Sequence, residues 1–357
     1  MLDSSRVFVI AEAGSNWKAG SYNEDIKRAT KLIGIASECG ADAVKFQTFR
    51  TNTVYVPNAG NSDYLEKSGI KKSINKIFEN AEMPYEMLKE LAEFCNKKDI
   101  QFMSTPFSVE DAKAINPHVK VHKVASYEIN HVRLLEYLAK TRKPIILSTG
   151  ASNYDEIDFA VNLLKKHHVN EYALLQCTAK YPAPLESLNL STIPEMEKRY
   201  KVPIGLSDHS LDPIIGPVIA IGLGAKIIEK HFTLDKNLPG PDHKFALNPV
   251  ELKKMIQSIR SAEKTFGDGK KRVLDVEIEL RNFAVRRIQA IKDIKKGEKF
   301  EEGKNMDVLR PGNRTKGADS RFLLKINGKK SKRSIKSGDG VRLQDCANPT
   351  AAENSFI

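Results

Sequence analysis

Pro144–Cys177 reads PIILSTGASNYDEIDFAVNLLKKHHVNEYALLQC, and this stretch decides the fold. Its two ends, Ile145-Ile146-Leu147 and Ala173-Leu174-Leu175, are apolar at every position. A strand with one wet face alternates apolar and polar residues, because successive side chains point to opposite faces. An unbroken apolar run is instead a strand covered on both faces, as in a parallel sheet flanked by helices. Asn153–His167, between the two runs, is amphipathic with helical spacing. The unit is therefore strand, helix, strand.

The same alternation extends outward. Short β-branched or apolar runs fall at Val7–Ile10, Ala43–Phe49, Ile100–Thr105, Val119–Ala125, Pro203–Ser207 and Ala225–His231. Helix-like segments fall at Asn23–Cys39, Tyr85–Lys97, Val132–Lys140, Pro213–Leu223 and Pro249–Phe266. Eight strands alternating with helices predict an α/β fold, a (β/α)8 TIM barrel over residues 1–268. A doubly wound open sheet competes, but no G-x-G-x-x-G follows the first strand. Residues 51–82 break the rhythm with a polar stretch around Asn58-Ala59-Gly60-Asn61-Ser62-Asp63. It reads either as a functional excursion over the end of the second strand or as a neutral insertion. After Phe266-Gly267-Asp268-Gly269 the texture changes, and residues 269–285 read as a charged linker. Residues 286–346 carry short runs at Ile288–Ile291, Val308-Leu309 and Phe322–Ile326 among Gly and Lys turns. They predict a small β-rich domain, and residues 347–357 a disordered tail.

Of the 357 residues 41% are apolar, enough to bury a core of this size. The net charge of +12 is uneven. Residues 281–345 hold 19 Lys/Arg against 8 Asp/Glu, a surplus of 11, so the rest is nearly neutral. A nucleic-acid partner would rest on that charge alone, without a recognition motif or an aromatic stacking platform, and is not expected. No apolar run reaches the length of a membrane span, and Met1–Arg6 shows no secretory signal. Cys39, Cys95, Cys177 and Cys346 are scattered without a C-x-x-C, so the expected setting is the reducing cytoplasm.

In a barrel, chemistry sits at the C-terminal ends of the strands. There the sequence places Glu12 and Asn16 after strand one, Lys45 and Gln47 on one face of strand two, and Thr105 on strand three. Strand four brings Lys123, Ser126 and Glu128; strand five, Ser148; strand six, Cys177, Thr178 and Tyr181. Ser207, Asp208 and His209 end strand seven, and Glu229, Lys230 and His231 end strand eight, with Asp242 in the loop beyond. Two lysines among Thr105, Ser126, Ser148 and Ser207 can hold a multiply charged anion, a phosphate or a phosphate-carboxylate. His209 and His231, flanked by Asp208 and Asp242, can share a divalent ion and leave positions open for water or substrate. Glu12 and Glu128 are candidates for general base or for binding a substrate hydroxyl, or are salt-bridge partners of the lysines. His122, His131, His167 and His168 read as surface or packing residues.

These stretches carry a family pattern. Val44-Lys45-Phe46-Gln47-Thr48, Ser104-Thr105-Pro106-Phe107, Lys123-Val124-Ala125-Ser126-Tyr127-Glu128 and Ile145-Ile146-Leu147-Ser148-Thr149-Gly150 all match it. So do Gly205-Leu206-Ser207-Asp208-His209, Glu229-Lys230-His231-Phe232-Thr233 and Pro239-Gly240-Pro241-Asp242. From about Val7 to Asp345 the chain resembles the N-acetylneuraminate (sialic acid) synthases, which include the legionaminate and pseudaminate synthases. The resemblance implies a TIM barrel followed by an antifreeze-like (SAF) domain, where Asp293-Ile294-Lys295-Lys296-Gly297-Glu298 and Arg310-Pro311-Gly312 fit. It also implies a domain-swapped homodimer in which Arg310 reaches the partner's sugar site.

The implied activity is that of a transferase: condensation of phosphoenolpyruvate with the open-chain aldehyde of an acylamino hexose. That hexose is N-acetylmannosamine or a 2,4-diacetamido-trideoxyhexose. By resemblance, a divalent metal on His209 and His231, Mn2+ before Mg2+ or Co2+, would polarise the aldehyde oxygen. The methylene carbon of phosphoenolpyruvate attacks, water adds to the cationic centre and phosphate leaves. Lys45, Gln47, Thr105, Lys123, Ser126, Ser148 and Ser207 would bind phosphoenolpyruvate. Glu12, Tyr181, Asp242 and Arg310 would face the sugar, and Glu128 the reacting carbons or the water. The chain departs from the family at Asn16-Trp17, usually Asn-His, which adds bulk near the sugar, and in the basic run Asn313-Arg314-Thr315-Lys316. The alternative is a catalytically inactive paralogue that binds a sugar or a partner protein.

Overall fold

The computed structural model describes residues 6–61 and 72–347. The expected disordered tail, beyond Ala347, and the middle of the 51–82 excursion lie outside the described residues. The chain divides at Gly267/Asp268 into two compact units.

The first unit is a barrel. Its strands are β1 (Phe8–Gly14), β2 (Ala43–Thr48), β3 (Gln101–Pro106), β4 (His122–Val124), β5 (Ile145–Ser148), β6 (Tyr172–Cys177), β7 (Ile204–Asp208) and β8 (Ile227–His231). All pair in parallel in the order β3-β2-β1-β8-β7-β6-β5-β4. β3 and β4 lie side by side without a ladder and bring the sheet round on itself. The nearly closed TIM barrel predicted from Pro144–Cys177 is thus the fold. Helices return the chain between strands, and their ends are written locally. Asn153 Oδ1 accepts from the Glu156 amide at 3.1 Å while the Glu156 carboxylate accepts from the Asn153 amide at 2.9 Å. This reciprocal cap starts Tyr154–Lys166, which buries Ile157, Ala160, Val161 and Leu164 at helical spacing. Asn248 and Glu251 repeat the device at Pro249–Glu263. Besides Thr51–Val54 and Ile74–Ala81 in the excursion, two helices between strands were not anticipated, Val109–Ile115 and Thr192–Tyr200. The first is under two turns long, and the second is mostly polar, so neither shows a wide apolar stripe.

Period-two alternation sorts each strand into an outer and an inner row. Outward side chains join the helices in one large apolar layer that includes Val9, Ala11, Val44, Phe46, Leu174 and Leu206. Trp17 belongs to this layer, 1% exposed, so the expected bulk beside a sugar does not arise there. Inward side chains Ile10, Ala43, Met103, Val121, Ile146, Ala173, Leu175 and Ile227 fill the bore. Gly205 faces the same bore; a Cβ there would stand 2.4 Å from the Ile227 carbonyl oxygen and 2.6 Å from Leu175, so only glycine lets the barrel close. One step up on the same faces stand Glu12, Lys45, Thr105, Lys123, Ser148, Cys177, Ser207 and Glu229. The plug below is apolar and the layer above is charged.

The second unit pairs β9 (Arg287–Ala290) with β10 (Met306–Leu309), antiparallel, around Ile288, Ala290, Ile294, Phe300, Met306, Ile326, Ile335 and Val341. The stretch read as a linker, 269–285, contains a 3-10 turn at Asp275–Glu277 and a helix at Ile278–Ala284.

Candidate active site

The charged layer is one connected network. Lys45 Nζ pairs with the Glu12 carboxylate, reaches Thr105 Oγ1 at 3.0 Å and lies 3.7 Å from Glu229 Oε2. Lys123 Nζ donates to Ser148 Oγ at 2.6 Å and stands 3.5 Å from Glu229 Oε1. Ser207 Oγ donates to the same Glu229 oxygen at 3.0 Å, and Gln47 Nε2 to Glu12 Oε1 at 3.4 Å. Strand register explains the convergence: Glu12 lies opposite Lys45 on one side and His231 on the other, Gln47 opposite Thr105, and Ser207 opposite Glu229.

Glu229 carried no role in the sequence reading, yet it sits between both lysines. Its signal was available: two residues before His231, it shares that histidine's inward face. Burial alone would raise its carboxyl, but Lys123, Lys45 and the Ser207 hydroxyl hold it down at about 2. Glu12 is pushed the other way, to about 7, by burial and by the Glu229 charge, against the pull of Lys45. Burial also pushes Glu128 up to about 8, against the pull of Lys123, and its Oε2 is buried with no hydrogen-bond partner. Ser126 Oγ accepts from the Gly150 amide at 3.0 Å. A Cβ on Gly150 would come within 2.9 Å of both Ser126 Oγ and Cys177 Sγ, so glycine keeps this corner open.

Above the network, at the mouth, His209 and His231 have ring centroids 5.7 Å apart. His209 Nδ1 lies 2.9 Å from the Thr178 carbonyl, which can only accept, so Nδ1 carries a proton and Nε2 is the nitrogen left to bind an ion. His231 Nδ1 is buried without a partner. Burial, with His209 and Lys45 nearby, pushes His231 well below its usual range and keeps the ring neutral. Asp242 Oδ2 accepts from the Ser15 hydroxyl at 2.7 Å and amide at 3.1 Å. A Cβ on Gly14 would be 2.8 Å from that oxygen and 3.2 Å from the His231 ring, which puts Asp242 beside the pair. Asp208 does not flank it. It points outward, bonding Lys230 Nζ at 2.6 Å and the Ser210 amide at 2.8 Å, because it alternates with the inward Ser207 and His209.

Two imidazoles at the ends of adjacent strands fit a divalent ion held by two protein ligands, the ion displacing any proton on His209 Nε2. Among the described residues no group of three or more His, Cys, Asp or Glu converges on one point, so water or substrate oxygens would complete the shell. Tyr181 stacks on His209 at 4.2 Å. Arg310 belongs to the second unit, exposed just after β10, and is not part of this geometry.

Residues 32–271 match the NeuB family. The spore coat polysaccharide biosynthesis protein SpsE of Bacillus subtilis is 40% identical over 355 residues, 95% of this chain and 93% of its own. The N,N'-diacetyllegionaminic acid synthase of Campylobacter jejuni is 38% identical over 94% of this chain and 99% of its own. The crystal structure of an N-acetylneuraminic acid synthetase from Leptospira borgpetersenii, in complex with citrate, is 33% identical with a TM-score of 0.68 over 78% of this chain and 92% of that one. The resemblance read from the strand-end motifs holds, and the chain belongs to the NeuB family.

Proposed function

We propose that the protein is a nonulosonic acid synthase, a transferase that condenses phosphoenolpyruvate with the open-chain aldehyde of an N-acylamino hexose. One observation carries the reading: a cradle of two lysines with the hydroxyls of Thr105, Ser126, Ser148 and Ser207 lies below a pair of imidazoles in the mouth of a single barrel. The relatives named as synthases of sialic-type acids support it.

Lys45 and Lys123, with Thr105, Ser126, Ser148 and Ser207, bind the phosphate and carboxylate of phosphoenolpyruvate, and Gln47 flanks them. Lysines supply charge and hydroxyls oriented donors, in a bore that excludes bulk water and so strengthens both. Glu12, Tyr181 and Asp242 face the acceptor. His209 and His231 would hold a divalent ion, Mn2+ first, which when bound supplies Lewis acidity toward the acceptor's carbonyl. The enol methylene then attacks an aldehyde held beside it, so much of the entropic barrier is met on binding. Glu128 keeps its proton at neutral pH. It can give that proton to an oxygen turning negative and recover one from the water that attacks the cationic centre before phosphate leaves.

The second unit is the antifreeze-like domain in this reading, and the protein works as a domain-swapped homodimer with Arg310 acting on the partner's sugar. Exposed Val276, Leu280 and Phe283 on one unit, and Ile215 and Ile219 on the barrel, offer apolar surface for a second copy. The free cysteines agree with a reducing, cytoplasmic setting.

The test is phosphate release from phosphoenolpyruvate with Mn2+, offering N-acetylmannosamine and the diacetamido hexoses in parallel. Release that needs sugar, and that a His209→Ala/His231→Ala double variant loses, is the expected result. A folded, metal-loaded protein that binds sugar but releases no phosphate would instead be the inactive paralogue.

A further inference from the structure

Asp208 and Lys230 form the last paired rung between β7 and β8. The next residue on each strand is a histidine of the pair, His209 and His231. Both rung side chains point outward, away from the bore, and both are buried, Asp208 1% and Lys230 2% exposed. Lys230 Nζ donates to Asp208 Oδ2 at 2.6 Å, to the Ser210 carbonyl at 2.6 Å and to the Ser210 hydroxyl at 3.2 Å. Asp208 Oδ1 accepts from the Ser210 amide at 2.8 Å. One ammonium therefore grips the residues on both sides of His209 and belongs to the chain neighbour of His231. The helix Ile215–Gly222 closes over the pair: a Cβ on Gly216 would stand 2.8 Å from Asp208 Oδ2.

We propose that this ion pair is the positioning element of the histidine pair: it fixes the spacing of His209 and His231 for the ion they would share, without itself touching ion or substrate. The inference rests on reading the two histidines as a metal site. They stand just past the last rung, where no ladder bond holds the strands together. Replacing a buried ion pair by apolar residues of similar volume is often neutral for stability, so the barrel alone does not call for this one. The histidines do. His231 Nδ1 has no hydrogen-bond partner, so the ring takes its place from its backbone and its packing. A site with only two protein ligands gains from holding them at one separation before the ion arrives, and contacts that orient ligands are typically worth about 10–100-fold in metal affinity. The rung below has ties of its own: Ser207 and Glu229 share a hydrogen bond at 3.0 Å, and Glu229 faces both lysines.

The test titrates the full chain with Mn2+ alone, read by the electron paramagnetic resonance of the free ion, and in parallel with inorganic phosphate, read by calorimetry. Asp208→Leu/Lys230→Met removes the pair at similar volume and should weaken Mn2+ binding about tenfold or more while phosphate affinity stays within about twofold. Gly216→Ala leaves both charges in place but sets a methyl against the Asp208 carboxylate. It should weaken Mn2+ binding in the same direction, and it decides the matter if the double variant does not fold. Mn2+ affinity within about twofold of wild type in whichever variants fold, or an equal loss for Mn2+ and phosphate, overturns the inference and leaves the pair to general packing. Failure of both variants to fold assigns the pair to holding the barrel together and overturns it as well. A His209→Ala/His231→Ala control separates the two readings: a wild type that binds Mn2+ no better than this control overturns the metal site, and this inference with it.

Discussion

Glu229 shows how much of the site depends on single buried charges. Two fully buried ammonium groups stand within 4 Å of its carboxylate. Removing one member of a buried charged network leaves the others unpaired, which typically costs 3–5 kcal/mol. We expect Glu229→Ala to lower stability to urea by about 3 kcal/mol, and inorganic phosphate to restore part of the loss by taking the carboxylate's place. Equal destabilisation with and without phosphate would contradict this. His122 gives a pH test away from the site. Its ring is fully buried, Nε2 lies 3.1 Å from Asn116 Oδ1, and burial, helped by Lys143, pushes its pKa from 6.5 to about 4. The unfolded chain therefore takes up the proton first as pH falls. Its share of stability, about 3 kcal/mol, is present above pH 6.5, declines towards pH 4 and does not change further below it. Urea titrations of the wild type and of His122→Gln should converge across that window; parallel curves would refute the assignment. At this scale the sequence was informative wherever alternation was followed to its end. Inward placement of Lys45, Thr105, Lys123, Ser207, His209 and His231 follows from period two, and so would have the outward turn of Asp208 and the inward turn of Glu229. Trp17 lies in a loop, where no period tells inside from outside.

The barrel elements were legible because their strands are apolar on both faces and their longer helices carry wide apolar stripes. What the chain hid were short or polar helices, such as Val109–Ile115 and Thr192–Tyr200, and the trimming of Val119–Ala125 to the three residues of β4. Neither shortfall moves a site residue, because strand ends rather than strand lengths position the chemistry. Helix starts are set by reciprocal caps, so Asn153→Ala should cost about 1 kcal/mol and leave catalysis unchanged, as the cap lies on the exposed start of its helix. Differential scanning calorimetry alongside a turnover assay checks both halves. A loss of activity out of proportion to the shift in midpoint would show that this helix does more than cover the sheet.

Two compact units with opposite textures make up the molecule: a barrel that buries its charges and a basic unit that wears them outside. The boundary was legible from charge and from the loss of helical spacing after Phe266. The proposed exchange of that unit between copies rests on the resemblance, because one chain's residues carry no periodicity or charge pattern that would mark it. If Arg310 acts on a partner's barrel, Arg310→Ala and His209→Ala chains that are each inactive should, when co-refolded in equal amounts, recover about a quarter of wild-type activity. Half of the dimers are then mixed and each mixed dimer holds one intact site. No recovery would place Arg310 with its own barrel. The central claim is the condensation itself, and it is tested most directly by mass spectrometry of the wild-type reaction with phosphoenolpyruvate, Mn2+ and the acceptor sugars. The account predicts a new acid whose mass is that of one acceptor plus one pyruvic acid, formed in step with one phosphate. Phosphate release without that product, or unchanged substrates beside a folded, metal-loaded protein, would contradict it.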